Sequence, residues 1–170
     1  RPGMGDNVTS MLIAGAISAA LVARGRTGVG QALDLSLFNT AVWMLGMDMM
    51  PALSAGIEIP NTERGKTRNP LWNTYRTGDG LWVQLVMIQS DRFWPAFCEA
   101  IGRPDLEQDP RFNNSLCREE NCAELVSILE GVMTSRDCAS WEEVFTRYQL
   151  IFGRVQTVID VVTDPQATAN

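Results

Sequence analysis

The chain has 170 residues, 45% hydrophobic and 20% charged, values of a globular protein long enough to bury a core without a metal or disulfide staple. It contains no histidine, which excludes Ser-His-Asp and Cys-His catalysis and imidazole zinc sites within these residues. The net charge is −6, with nine basic against eight acidic side chains up to Arg103 and five against twelve beyond it; that sign excludes nucleic acid as a partner.

Along the chain, Asp6 or Asn7 is placed to cap a first helix that runs to Arg24 and stops at Gly25. Its apolar stretch Met11 to Ala23 is too short for a membrane span and reads as a buried helix. Gln31 to Leu37 alternates, Leu33, Leu35 and Leu37 against Ala32, Asp34 and Ser36, and is expected to form a strand. A second helix follows to about Leu53. Ser54 to Pro70 has no period and four punctuating Gly and Pro residues, so it is expected to be a long loop of functional interest.

Trp72 to Thr77 and Leu81 to Met87 read as two strands around Gly78-Asp79-Gly80, where positive φ angles at Asp-Gly suit a tight hairpin. Ser90 opens a helix with Trp94, Phe97, Cys98 and Ile101 on one face and Gly102 at its end. One long amphipathic helix is expected from Ser115 to Thr134, then a helix whose capping box is Ser140-Trp141-Glu142-Glu143, then a short helix between Val155 and Val162. Cys98, Cys117, Cys122 and Cys138 read as thiols of a reducing compartment, and their spacing makes no metal set. Arg1 lies in turn-like sequence without an initiator methionine, which suggests that the visible start is not a natural one.

The chemical motifs are weaker than the structural ones. Gly25, Gly28 and Gly30 follow a helix and precede a strand, the reverse of a dinucleotide loop, and read as a cap and turn. Gly65-Lys66-Thr67 imitates the end of a Walker A loop, but the required earlier glycine falls at Pro60. What remains is a basic loop, Arg64, Lys66 and Arg68, either a solvated linker or an anion-contacting lid. Mutual repulsion of these cations and the absence of a hydrophobic period make Asn61 to Asn69 the most mobile internal segment expected. Asp6 fits a cap better than a catalytic carboxylate, and the methionines from Met44 to Met50 fit core packing.

The segments Gly5-Asp6-Asn7-Val8-Thr9, Ala20 to Gln31, Leu33-Asp34-Leu35-Ser36-Leu37, Tyr75-Arg76-Thr77-Gly78-Asp79-Gly80, Asp109-Pro110-Arg111-Phe112, Arg118 with Asn121, and Asp164-Pro165-Gln166 occur in an order that resembles the class III CoA-transferases, the carnitine and bile-acid-inducible operon family. The resemblance implies a mixed α/β fold: a helix-strand-helix piece of a Rossmann-like large domain at 1–56, a linker at 57–71, and a small domain with a β-hairpin or antiparallel sheet and several helices at 72–170. It implies an internal fragment of a cytoplasmic homodimer that moves CoA from a thioester to a carboxylic acid, with no resident cofactor and no membrane. The family's catalytic aspartate would lie upstream, so no catalytic residue is assigned here. The linker motif Arg-x-Gly-Asn-x-His-Pro is matched by Arg64, Lys66, Thr67, Asn69 and Pro70, with Lys66 for glycine and Asn69 for histidine. Arg64, Lys66, Thr67, Arg68 and Asn69 are the resulting candidates for substrate or CoA contact. The alternatives are an acyl-CoA racemase or epimerase of the same scaffold, and a stand-alone binding or assembly module.

Overall fold

A computed structural model describes residues 2–58 and 63–169. Two compact units emerge, Arg1–Asn61 and Thr62–Asn170, dividing the chain inside the stretch read as the linker.

The first unit is helical. Helix α1 spans Met4–Thr27, starting two residues before Asp6, the first of the expected caps, and passing through Gly25. Glycine within a helix costs only about 1 kcal/mol relative to alanine; a stop needs the left-handed turn that Gly28 supplies, with φ of 74° and its amide donating to the Arg24 carbonyl at 2.8 Å. Asp6 does not cap the helix but sits in its first turn, while Arg24 and Arg26 lie in the last, both favourable to the helix dipole. Helix α1 has 24 residues and contains an 18-residue stretch of mean hydropathy 1.6, so it is long and apolar enough to cross a membrane by length and composition, unlike the shorter run expected from the sequence.

The expected strand at Gln31 to Leu37 does not form: residues 29–36 carry no regular structure, and Leu37 already belongs to α2. Alternation gives a segment the right faces, but a strand exists through ladder partners, and among the described residues this unit offers none. Ser36 instead caps α2 (Leu37–Met44), accepting from the Asn39 amide at 3.1 Å. The expected single second helix is interrupted at Leu45 and resumes as α3 (Gly46–Ala55). Thr9 and Thr40 are the buried side chains of these three helices.

The second unit holds the core. Strands β1 (Thr74–Arg76) and β2 (Trp82–Leu85) pair antiparallel with Tyr75 opposite Val83, and β3 (Phe152–Arg154), which the sequence reading missed, adds to β2 with Gly153 opposite Gln84. The hairpin turn differs in one respect from expectation. Gly80 alone takes a positive φ, 82°, the Gly80 amide donates to the Thr77 carbonyl at 2.9 Å, and the Thr77 amide donates to Leu81 at 2.9 Å. This is the three-residue loop in which a type I turn ends in a left-handed glycine.

Helix α4 (Ser90–Ala100) starts where expected and is followed by Gly102 at φ of 70°. After α5 (Asp105–Gln108), the expected long helix divides into α6 (Ser115–Glu120) and α7 (Cys122–Met133) at Asn121, although Cys122, Leu125, Val126, Leu129 and Met133 do point inward. Helix α8 (Cys138–Arg147) begins two residues before Ser140, so the expected capping box is replaced by Asp137, whose carboxylate accepts from the Ser140 amide at 2.8 Å. A true capping box occurs at α9 (Val158–Val162), between Thr157 and Asp160, and α10 (Pro165–Thr168) follows.

The rings of Trp94, Phe97, Phe145 and Trp141 form a chain with centroid separations of 6.0, 6.2 and 5.3 Å, and Phe152 meets Phe145 edge-on at 5.4 Å. Each such buried ring contributes roughly 1.5–3 kcal/mol through removal from water, with about 0.5–1.5 kcal/mol more for a well-placed aromatic pair. Arg118 lies within this core at 1% exposure, its guanidinium 4.6 Å from the Trp94 ring centre, donating to the Phe112 carbonyl at 2.7 Å and to Ser90 at 3.1 Å, and paired with Asp91. Burial pulls its pKa down and Asp91 opposes that pull.

Candidate functional site

The basic loop runs from Glu63 into β1, and in the described residues it is tied to the second unit at several points. Arg64 to Lys66 form one 3-10 turn, closed by the Lys66 amide donating to the Glu63 carbonyl at 2.8 Å. The Arg64 guanidinium lies over the Trp82 indole at 4.7 Å from the ring centre and pairs with Glu130 on α7. Its carbonyl accepts from the Asn73 side chain at 3.0 Å, closing the base of the loop.

Asn69 makes the second attachment. Its amide group donates to the Met87 carbonyl at 3.0 Å, its side-chain oxygen accepts from the Leu71 amide at 3.0 Å, and its own carbonyl accepts from the Trp72 amide at 2.8 Å. The neighbouring Pro70 carbonyl accepts from the buried Tyr75 hydroxyl at 2.7 Å, and burial raises the Tyr75 pKa. The Met87 amide returns to the Leu71 carbonyl at 3.0 Å.

Between these attachments stand Lys66, Thr67 and Arg68. Lys66 pairs with Glu63 at 2.9 Å, both side chains about three-quarters exposed, and Arg68 is 92% exposed with its nearest carboxylate, Glu119, 3.7 Å away. Such exposed pairs are worth roughly 0–1 kcal/mol. Thr67 makes only long contacts of 3.4 Å with the Asn69 backbone, while its own backbone amide faces the Cys122 thiol, whose pKa burial raises and this amide lowers. The expected repulsion among the three cations is therefore corrected: each has a carboxylate of its own. Asn61 and Thr62 lie outside the described residues.

The structure thus brings all five candidates into one loop but gives them different surroundings. Arg64 and Asn69 have their polar groups turned to the protein, whereas Lys66 and Arg68 present charge to solvent. The partners Asn73, Tyr75, Trp82 and Glu130 were not among the sequence candidates; Trp82 and Glu130 stand far along the chain, and no local spacing marks them. Elsewhere, a shallow depression of about 250 Å³ in the first unit is lined by Leu12, Asp34, Ser36, Asn39 and Trp43, none of them a candidate. Among the described residues no cluster of Cys, Asp and Glu could hold a metal, and all four cysteines are unbridged.

An antiparallel three-stranded sheet with helices, entered through a basic loop, is compatible with many activities. The sequence as a whole is more specific. The model of CoA-transferase family III matches residues 1–170, and the chain belongs to that family. It is 32% identical over 168 residues to the (R)-2-hydroxy-4-methylpentanoate CoA-transferase of Clostridioides difficile, covering 99% of this chain and 42% of that protein. It is also 32% identical over 172 residues to the cinnamoyl-CoA:phenyllactate CoA-transferase of Clostridium sporogenes, with the same shares covered. The crystal structure of a CAIB/BAIF family protein from Brucella suis superposes with a TM-score of 0.81 at 26% identity, over 97% of this chain and 43% of that one. The chain therefore spans about two fifths of the length of the relatives it matches.

Proposed function

We propose that this chain is a portion of a class III acyl-CoA transferase, which moves CoA from an acyl thioester to a carboxylic acid, and that the loop from Arg64 to Asn69 borders the bound substrate. The observation that carries the reading is the family match from end to end, since relatives that align along almost the whole chain are CoA-transferases. The loop adds chemical support: two exposed cations with weak partners suit an acyl carboxylate or a CoA phosphate, which charge-assisted hydrogen bonds would hold. The complete enzyme is proposed to be a cytoplasmic homodimer; unbridged thiols suit a reducing compartment, and the exposed apolar side chains of α1 to α3 suit burial against further protein.

Within these 170 residues no side chain is assigned as nucleophile, so the chain alone is expected to give only background exchange. Its affinity for CoA is expected to be millimolar at best, about 4 kcal/mol of binding free energy. Mass spectrometry of CoA exchange between several acyl-CoA donors and hydroxycarboxylate acceptors tests this. Turnover by the 170 residues that disappears in Asp6→Asn would overturn it and make Asp6 the nucleophile.

A further inference from the structure

The five candidate residues do not share one role. We propose that Arg64 and Asn69 are positioning residues that fasten the two ends of the loop, and that Lys66 and Arg68, held between them, are the groups that meet the anionic part of the substrate. This assignment rests on the functional reading above and divides the site it names.

The division follows from what each side chain already touches. Arg64 is engaged on three sides, by the Trp82 ring, by Glu130 and, through its carbonyl, by Asn73, although its side chain is 38% exposed and its buried Nε has no hydrogen-bond partner among the described residues. To reach a ligand it would have to leave an aromatic face and an ion pair together. Asn69 holds the Met87 carbonyl and the Leu71 amide with opposite ends of one side chain, so it bridges the loop to the exit of β2. Turning that amide outward would strand a donor and an acceptor in a half-buried place.

The residues between lack such ties. At 92% exposure, with 3.7 Å to its nearest carboxylate, Arg68 can exchange Glu119 for a stronger acceptor with little loss. Lys66 can likewise release Glu63. Fastening both ends reduces the ordering cost that a loose loop would incur on binding.

Hydrogen exchange and coenzyme A titration of the chain by NMR separate the roles. Arg64→Lys keeps the charge but loses the stacked, forked group. It is expected, with Glu130→Gln and Asn69→Ala, to speed exchange of the Lys66, Leu71 and Trp72 amides at least tenfold while Leu129 and Phe145 stay unchanged. Arg68→Gln and Lys66→Gln are expected to leave exchange unchanged and to weaken CoA binding about fivefold. In the Lys66→Gln, Arg68→Gln background, Arg64→Lys should cause no further loss of CoA binding. Additive losses there would make Arg64 a direct ligand contact and overturn the division, as would unchanged loop exchange in Arg64→Lys and Asn69→Ala. Absence of any CoA-dependent change in the unsubstituted chain would overturn the ligand-facing half together with the functional reading, and the exchange rates would still decide the fastening half.

Discussion

The two units differ in what their apolar side chains do. In the second unit, Leu71, Tyr75, Val83, Leu85, Met87, Phe97 and Phe145 are all withdrawn from water, and the sheet and helices α4, α7 and α8 share that core. In the first, α1 to α3 are rich in Ala, Met and Leu, yet Met11, Phe38, Trp43 and Met47 are mostly exposed and the buried side chains are two threonines. Composition alone would rank the first unit as the more hydrophobic. Stability depends on where the apolar surface goes, and a helix without a covered face has little beyond its own backbone hydrogen bonds and propensity.

The largest expected consequence is in hydrogen exchange. Amides of Leu85, Phe97 and Leu129 are expected to be protected roughly a thousandfold more than those of Ile17 and Leu21 in α1, because core amides open only with global unfolding while weakly packed segments open locally. Equal protection in both units would show that α1 is covered in solution, and a light-scattering mass above 18.8 kDa would then identify self-association as the cover. The next effect is on stability: Trp141→Ala is expected to cost about 3–5 kcal/mol, whereas Phe38→Ala changes unfolding by only about 0.5 kcal/mol. Urea denaturation measures both, and a large loss in Phe38→Ala would break the contrast.

How far the sequence could be read follows the same line. The hairpin, α4 and the inward face of α7 were legible because periods of two and 3.6 residues are local properties that a covered face preserves. The segment from Gln31 to Leu37 had as clear an alternation, but its strand depends on partners that no local pattern reports. Strand β3 has only three residues and owes its existence to β2, and Asn121 interrupts a pattern that continues on both sides of it. The candidate site was legible as a set of residue types. The contacts of Arg64 were not, because Trp82 and Glu130 come to it only through the fold.

Glycine substitutions test the contrast at smaller scale. An alanine Cβ at Gly78 would stand 2.6 Å from the Thr134 carbonyl oxygen and 3.0 Å from that of Arg136, both backbone atoms, and the Gly78 amide donates to Arg136 at 2.7 Å. Gly78→Ala is therefore expected to destabilise by about 1–3 kcal/mol by forcing the hairpin tip away from the α7–α8 connection. Gly15 in α1 has nothing within 4 Å of that position, so Gly15→Ala is expected to raise helicity and stabilise by up to about 1 kcal/mol. A destabilising Gly15→Ala would mean that another surface packs closely there.

The smallest expected effect is the acid response of the same hairpin tip. Asp79 accepts from the Thr77 hydroxyl and from the Leu81 and Cys138 amides, and these bonds, the Thr77 one foremost, hold its pKa below the ordinary value of 3.8. A carboxyl whose folded value is depressed binds its proton more readily in the unfolded chain. Its stabilising contribution is thus complete above the unfolded value and is lost as pH falls through the folded one. The group is exposed, so solvent screens much of this. Urea midpoints are expected to be level from pH 6 to about 5 and to decline below about 4, with a shallower decline in Asp79→Asn, which cannot take up that proton. Because Asp79 joins the turn to the start of α8, the decline should appear in Trp141 fluorescence as part of the unfolding of the second unit. An Asp79→Asn decline as steep as that of the unsubstituted chain would place the acid sensitivity on other carboxylates and leave the hairpin tip held by the Gly78 and Thr77 backbone bonds alone.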